Sequence, residues 1–509
     1  MTELHVSIAQ HYHERTKYAP ETIASKGRSP DWDHQPTPFK DYKIGTQIDL
    51  KAFLDEPPAG DRTAQQWHRL SKLLYCTYGL TAKVSLGGDK SLYLRTAPSA
   101  GGLYPAEVYL VSRGTALLAP GLYHYQPKTH ALVHFWDDHV WGGLQGGCFW
   151  HPALDNVPLA MVVTATFFRS AWRYQDRAYR RICLDIGHLL GNVEMAGALA
   201  DYRPHLIGGF ADESVDALLY LNREQEGAIA VMALADLLDV QQNLPRFRTA
   251  LASTTQHEYP DVVDGELLPY FHQATQISQE TPPDTQWRLD PEAEARKDKY
   301  NFPFCTKVSS VSAPIDWGAG RSGLDQTLLR RRSTRSYSGA DVSLEELLAL
   351  LDFTYQPEHY RDQDFDGEPD YFAIHRIETF VAVSGVTDLE EGCYYYAPKA
   401  QELRQIRFKN FRRELHFLCL GQELGRDAAA VVFHTADLRQ AVSEYGDRAY
   451  RYLHMDAGHL GQRLNLAAIY LGLGVSGVGG FFDDQVNEVL GIPEDEAALY
   501  VTTLGRPRA

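Results

Sequence analysis

Short apolar or alternating runs recur along the chain, separated by segments with helical spacing. "AEVYLVSR" from Ala106, "AMVVTATFF" from Ala160, "AAAVVFHTA" from Ala428 and "ALYVTTLG" from Ala498 have the length and β-branched content of strands. "SLEELLALLDF" opens with Ser343 and Glu346 in capping-box spacing and continues with a period near 3.6, which predicts a helix. "RAYRYLHMDAGHLGQRLNLAAIYLG", from Arg448, is apolar on most faces and predicts a long central helix. The expectation is an α+β fold in which helices cover an antiparallel-rich sheet.

The pattern occurs twice. "YQDRAYRRICLDIGH" from Tyr174 matches "YGDRAYRYLHMDAGH" from Tyr445 at nine of fifteen positions, an offset of 271. The same offset relates "GLYHYQPK" from Gly121 to "GCYYYAPK" from Gly392, and "IGGFAD" from Ile207 to "VGGFFDD" from Val478. One long period repeated once is a duplicated domain, and two homologous domains in one chain pack as a pseudo-dimer. The expected layout is domain 1 at 1–240, a linker wrapping the surface at 241–320, rich in Pro, Thr, Gln and charge, and domain 2 at 321–509. Whether the pseudo-dimer stays monomeric or dimerises further is open.

Composition narrows the function. A net charge of −17, spread over 509 residues, disfavours nucleic acid and anionic membranes as partners. The six cysteines form no C-x-x-C pair, no group of residues has metal-ligand spacing, and no apolar run approaches a membrane span. A cytoplasmic protein without a metal is the expectation.

Three segments carry candidate chemistry. In "RRRSTRSY" (330–337), Arg331, Ser333 and Arg335 fall on one side of an extended segment, two guanidiniums and a hydroxyl suited to a phosphate; a solvated basic face is the plain alternative. In "RTAPSAGGLYPAEVYLV" (95–111), Gly101 and Gly102 permit close approach to the backbone and Ser99 adds a donor, although an ordinary glycine turn would look the same. "LGLGVSGVGGFFDD" (471–484) contains G-x-G-x-x-G, but it follows a helix instead of a strand, which excludes a dinucleotide fingerprint and leaves "GVGGFF" as a loop of backbone donors. The copies differ here in a complementary way. At the offset of 271, "APSAGGLYPAEVY" meets "EPDYFAIHRIETF", so copy 2 lacks the glycine loop; copy 1 has "HERTKY" (13–18) for "RRSTRSY" and Ala235 for Arg506, so it lacks the phosphate cluster.

With "PSAGGLYP", "GLYHY", "YGDRAY…DAGH", R-x-S-x-R and the terminal "LGRP" in place, the chain resembles the nitroreductase superfamily, and within it the SagB/ThcOx-type (McbC-like) FMN dehydrogenases that oxidise azolines in ribosomal peptide products. The resemblance implies FMN at a domain interface. One composite site would combine Arg331, Ser333, Arg335, Gly479, Gly480 and Arg506 of domain 2 with Pro98, Ser99, Ala100 and Gly101 of domain 1. The reciprocal site, with "HERTK", Gly208, Gly209 and "EPDYF", would be degenerate, giving one FMN per chain. The flavin N5 calls for a donor, assigned to the backbone around Gly479 or Gly480.

The chain departs from that family at its Lys-Tyr pair, which is Arg173-Tyr174 in copy 1 and Glu444-Tyr445 in copy 2. Arginine stays protonated, so base chemistry falls to Tyr445, Tyr174 or Glu444. His188 and His459 are expected to pack between helices. Three functions remain: oxidation of a peptide azoline or small heterocycle, with peptide-modifying enzymes as partners; NAD(P)H-dependent reduction of nitro compounds or quinones; and a non-catalytic flavin-holding scaffold in a peptide-modifying complex.

Overall fold

The computed structural model describes residues 6–26, 30–87, 90–280, 285–292 and 294–508. Two seven-stranded antiparallel sheets carry it. The first runs Thr46–Asp49, Ala131–Trp136, Gly121–Gln126, Ala106–Ser112, Leu159–Thr166, Glu226–Asp236, Tyr202–Ile207. The second repeats that order with Thr306–Ser309, Glu402–Arg407, Gly392–Ala397, Glu378–Val383, Ala430–Asp437, Glu496–Gly505 and Gly474–Val478. The strands at 121–126, 131–136 and 159–166 meet their counterparts at an offset of 271, so the sequence repeat is a repeat of register. All four quoted apolar runs are strands, and Ser343 caps its helix through the expected reciprocal box with Glu346.

The helices Ala178–Ala200 and Ala449–Tyr470 pack across the centre. They cross at Gly187 and Gly458, which are 271 apart: a Cβ on Gly187 would collide with the Met455 carbonyl, and one on Gly458 with that of Leu184. Two glycines at a pseudo-two-fold axis let the backbones touch. This explains why "D-x-G-H" survives in both copies.

The "D-R-A-Y-R" repeat has an equally structural cause. Arg177 and Arg180 bind Asp483 of the second copy at 2.8 and 2.6 Å, while Arg448 and Arg451 bind Asp212 of the first at 2.6 and 2.8 Å. All six groups are buried. Such triads tie each copy to the other, and removing one partner of a buried pair costs about 3–5 kcal/mol.

The segment expected to be a surface linker is largely structural. Thr249, Ala250 and Leu251 are buried, Leu267–Ala274 forms a helix against Ile8–Thr16, and Thr306–Ser309 is the edge strand of the second sheet. Its polar composition concealed the few apolar residues that enter the core. Of "GVGGFF" (477–482), expected as a loop, 477–478 belong to the edge strand Gly474–Val478 and only 479–482 is loop.

Candidate functional site

Two equivalent positions lie where each copy's strand end and glycine pair face the other copy, and their contents differ. In the first, the glycine pair is Gly479-Gly480, facing Arg181, Tyr174 and Gly101 of copy 1. A Cβ on Gly479 would lie 3.4 Å from an Arg181 nitrogen, and one on Gly101 would lie 2.8 Å from the Tyr174 hydroxyl. Neither glycine N–H of the pair has a hydrogen-bond partner among the described residues. In the second, Gly208 and Gly209 both donate to the Thr249 carbonyl, at 2.7 and 3.2 Å. Phe372, which replaces Gly101 at the offset of 271, lies 2.6 Å from the position of a Cβ on Gly208, and Leu251 fills the space before Gly209. Phe372 stacks on Tyr452 at 5.2 Å. The second position is plugged by side chains; the first offers free donors.

The "PSAGG" loop is held by one carboxyl. Ser99 Oγ donates to Asp185 at 2.6 Å, and the Ala100 N–H donates to the same carboxylate at 3.1 Å. The Tyr104 N–H donates to Ser99 Oγ. Gly101 and Gly102 have φ of +66° and +67°, the left-handed region that favours glycine. Burial pushes Asp185 up to about 7 against the lowering by Ser99 and Ala100. Asp456 does the same work in copy 2, accepting from the N–H groups of Phe372 and Ala373, and burial raises it to about 7 as well.

Arg331 crosses to copy 1. Its Nε donates to the Thr96 carbonyl at 2.5 Å and one terminal nitrogen donates to that of Arg95 at 3.2 Å. The other terminal nitrogen is buried with no partner among the described residues. Burial lowers its pKa to about 10, with Arg332 and Arg335 repelling in the same direction. Thr334 binds the edge strand in both directions through Val475, which fixes Ser333 and Arg335 beside it. Ser333 is half-buried, and Arg335 is exposed and makes no hydrogen bond or ion pair among the described residues. Arg506 lies alongside through a backbone bond to Ser338, but its guanidinium pairs with Glu346 at 2.7 Å. Arg331, the Pro98–Gly101 loop and the Gly479-Gly480 turn therefore edge the same domain junction, whereas the Arg506 side chain points to an acidic partner.

The candidate bases separate. Tyr174 is at the first position with its hydroxyl unpartnered among the described residues, its ring 3.6 Å from the Arg181 guanidinium carbon. Tyr445 belongs to the plugged position, packed against Tyr452 and His375; burial, then neighbouring Glu444, raises its pKa far above the usual phenol value. Glu444 is paired with Arg376 and His375. Burial alone would raise it, yet those partners hold it at about 2. A carboxylate that acidic is a poor base. His188 bonds Gln462 and Tyr500 across the domains, and burial lowers it to about 3, as fits a packing histidine. His13–Tyr18 does not stand where copy 1 would need a phosphate cluster: His13 packs against Tyr450, and the Tyr18 N–H donates to Asp483.

At the offset of 271, the residues whose carbonyls Arg331 reaches, Arg95 and Thr96, correspond to Asp366 and Gly367, which line a cavity of about 520 Å³ together with Arg203, Leu206, Glu194 and His459. Its charges are paired internally, Arg203 with Asp366 at 2.7 Å and Glu194 with His459 at 2.6 Å. Sequence reasoning missed two residues of the first position, Asp185 and Arg181. Asp185 was visible as a carboxylate kept in both copies. Arg181 was visible as a mismatch, since Tyr452 replaces it directly after the matched run D-R-A-Y-R.

The Nitroreductase family model matches residues 68–235 and 328–506. A crystal structure from Anabaena variabilis, described as of a nitroreductase, is 66% identical and covers 99% of this chain and 100% of its own, with a TM-score of 0.94. A protein of Methanocaldococcus jannaschii named as a nitroreductase is 34% identical over 171 residues, 34% of this chain and 85% of that protein. The microcin B17-processing protein McbC of Escherichia coli is 26% identical over 158 residues, and the trifolitoxin-processing protein TfxF of Rhizobium leguminosarum 27% over 169. Those matches span 30% and 33% of this chain and 57% of each relative.

Proposed function

Since the chain belongs to the nitroreductase family and is an oxidoreductase, we propose that it holds a single FMN at the Gly479-Gly480 position and dehydrogenates an azoline or related heterocycle, borne by a modified peptide or a small molecule. The observation that carries this is the asymmetry of the two positions. One has unpartnered glycine N–H groups, a buried guanidinium nitrogen with no acceptor, and glycine where its counterpart has Phe372. The residues fit FMN: Arg331 and Arg335 would hold the phosphate, Gly479 and Gly480 would donate to the polar edge of the ring, and the Pro98–Gly101 loop would lie along it.

FMN supplies hydride acceptance, and the protein supplies orientation and a place for the accompanying proton. Dehydrogenation removes a hydride and a proton from adjacent substrate atoms. Tyr174 is the group at this position whose hydroxyl is free to relay that proton, because Glu444 and Tyr445 belong to the plugged half. Ser99 and Asp185 keep the loop rigid, and Gly101 leaves room for a flat ring. The absence of a lysine beside Tyr174 favours a second reading, NAD(P)H-dependent reduction of nitro compounds or quinones, in which the same residues would serve without a base.

Flavin stoichiometry by absorbance tests the site. Wild type should carry one FMN per chain, and Arg331→Ala should bind it at least tenfold more weakly; two flavins, or an Arg331→Ala variant of wild-type affinity, refute the composite site. Anaerobic mixing separates the reactions: rapid bleaching of bound flavin by NADPH or NADH overturns the dehydrogenase reading in favour of the reductase.

A further inference from the structure

Arg181 stands out among the buried cations of its helix. Arg177 and Arg180, within one turn of it, both reach Asp483. Arg181 is only 7% exposed, its Nε has no partner, and it makes no hydrogen bond or ion pair among the described residues. Asp185, one turn on, is engaged by Ser99 and Ala100. A buried charge without an ion-pair partner is costly; the structure offsets this one by the Tyr174 ring at 3.6 Å, a cation–π contact of about 1–2 kcal/mol, and by the Asp185 carboxyl, which burial pushes up and the Arg181 charge draws down. The guanidinium spans Gly479 and Gly480, 3.4 and 3.8 Å from the positions their Cβ atoms would take. In the plugged half the corresponding Tyr452 donates its hydroxyl to the Gly208 carbonyl and carries no charge.

We propose that Arg181 is a charge-compensating residue for the cofactor: it stabilises the negative charge that arrives on the flavin ring with a hydride, and thereby raises the reduction potential. The inference rests on FMN binding at the Gly479-Gly480 position. The charge balance is simple. A neutral oxidised ring that accepts H⁻ becomes an anion, the two electrons having come from the substrate C–H bond, or from NAD(P)H in the reductase reading. A preorganised cation favours that anion without favouring the neutral ring equally. Tyr174, whose ring lies 3.6 Å from the guanidinium carbon, acts toward Arg181 as a positioning residue that holds it near the glycine pair.

The test is the midpoint potential of bound FMN, measured by dye equilibration, in wild type, Arg181→Met and Arg181→Lys, each with its FMN stoichiometry and dissociation constant. Arg181→Met should keep one FMN, with oxidised-FMN affinity within threefold of wild type. Its preference for the reduced form should fall at least tenfold, a downward shift of about 30 mV for a two-electron couple. Arg181→Lys, which keeps the charge, should shift less than half as far. A Met variant that binds FMN with an unchanged potential overturns the proposal. So does one that loses oxidised FMN outright, since Arg181 would then be a binding anchor. Failure of the site reading looks different: wild type would carry no FMN, or its FMN would be indifferent to Arg331→Ala.

Discussion

Transplanting the plug is the sharpest test of why one position is open. Gly101→Phe places in copy 1 the residue that copy 2 carries as Phe372. Two costs follow from the structure. The backbone cost comes from φ of +66°, about 1–2 kcal/mol for a residue with a Cβ. The steric cost comes from the Tyr174 hydroxyl, 2.8 Å from the Cβ position, and an Arg173 nitrogen at 3.3 Å, so the ring must enter the slot proposed for FMN. Gly102→Ala separates the two costs. Its φ is +67°, nearly the same strain, but its Cβ would meet only the mobile end of Leu92 at 3.2 Å. The expected result, by isothermal titration of apoprotein with FMN, is at least a hundredfold weaker binding for Gly101→Phe, equivalent to about 2.8 kcal/mol, and less than a threefold change for Gly102→Ala. Both variants should melt as cooperatively as wild type. If Gly101→Phe binds FMN normally, the flavin does not lie against this loop. If both variants lose FMN equally, the loop's conformation matters and its openness does not.

Two further expectations concern stability. Asp456 has a folded pKa raised to about 7 by burial, so the folded state holds a proton that the unfolded chain gives up near the ordinary carboxylate value; its contribution to stability is present at low pH and is lost as pH rises toward 7. Asp456→Asn should therefore gain on wild type with increasing pH between about 4 and 7, by about 1.4 kcal/mol per pH unit, in urea melts; a difference independent of pH removes Asp456 as the cause. Asp212→Ala strands Arg448 and Arg451, both fully buried, and should destabilise the protein by about 3–5 kcal/mol, whereas a loss below about 1 kcal/mol would mean that the triads do not hold the copies together.

Much was written locally in the chain. The strands at 106–112, 159–166, 430–437 and 496–505, the capped helix after Ser343, and the duplication at an offset of 271 followed from apolar spacing and self-comparison, because both depend on short-range geometry. The complementary losses were also legible, since a glycine loop and a basic cluster are each contiguous. Tertiary structure alone decided what occupies each position. That Phe372 fills in the second half the space Gly101 leaves open in the first, that Leu251 and the Thr249 carbonyl close on Gly208 and Gly209, and that Arg506 turns to Glu346 are contacts between segments 40 or more residues apart. The same holds for the repeated tyrosines. Tyr174 and Tyr445 hold the same place in the repeat, and only the packing around them leaves one hydroxyl without a partner among the described residues, beside the Arg181 guanidinium, and buries the other behind a plug.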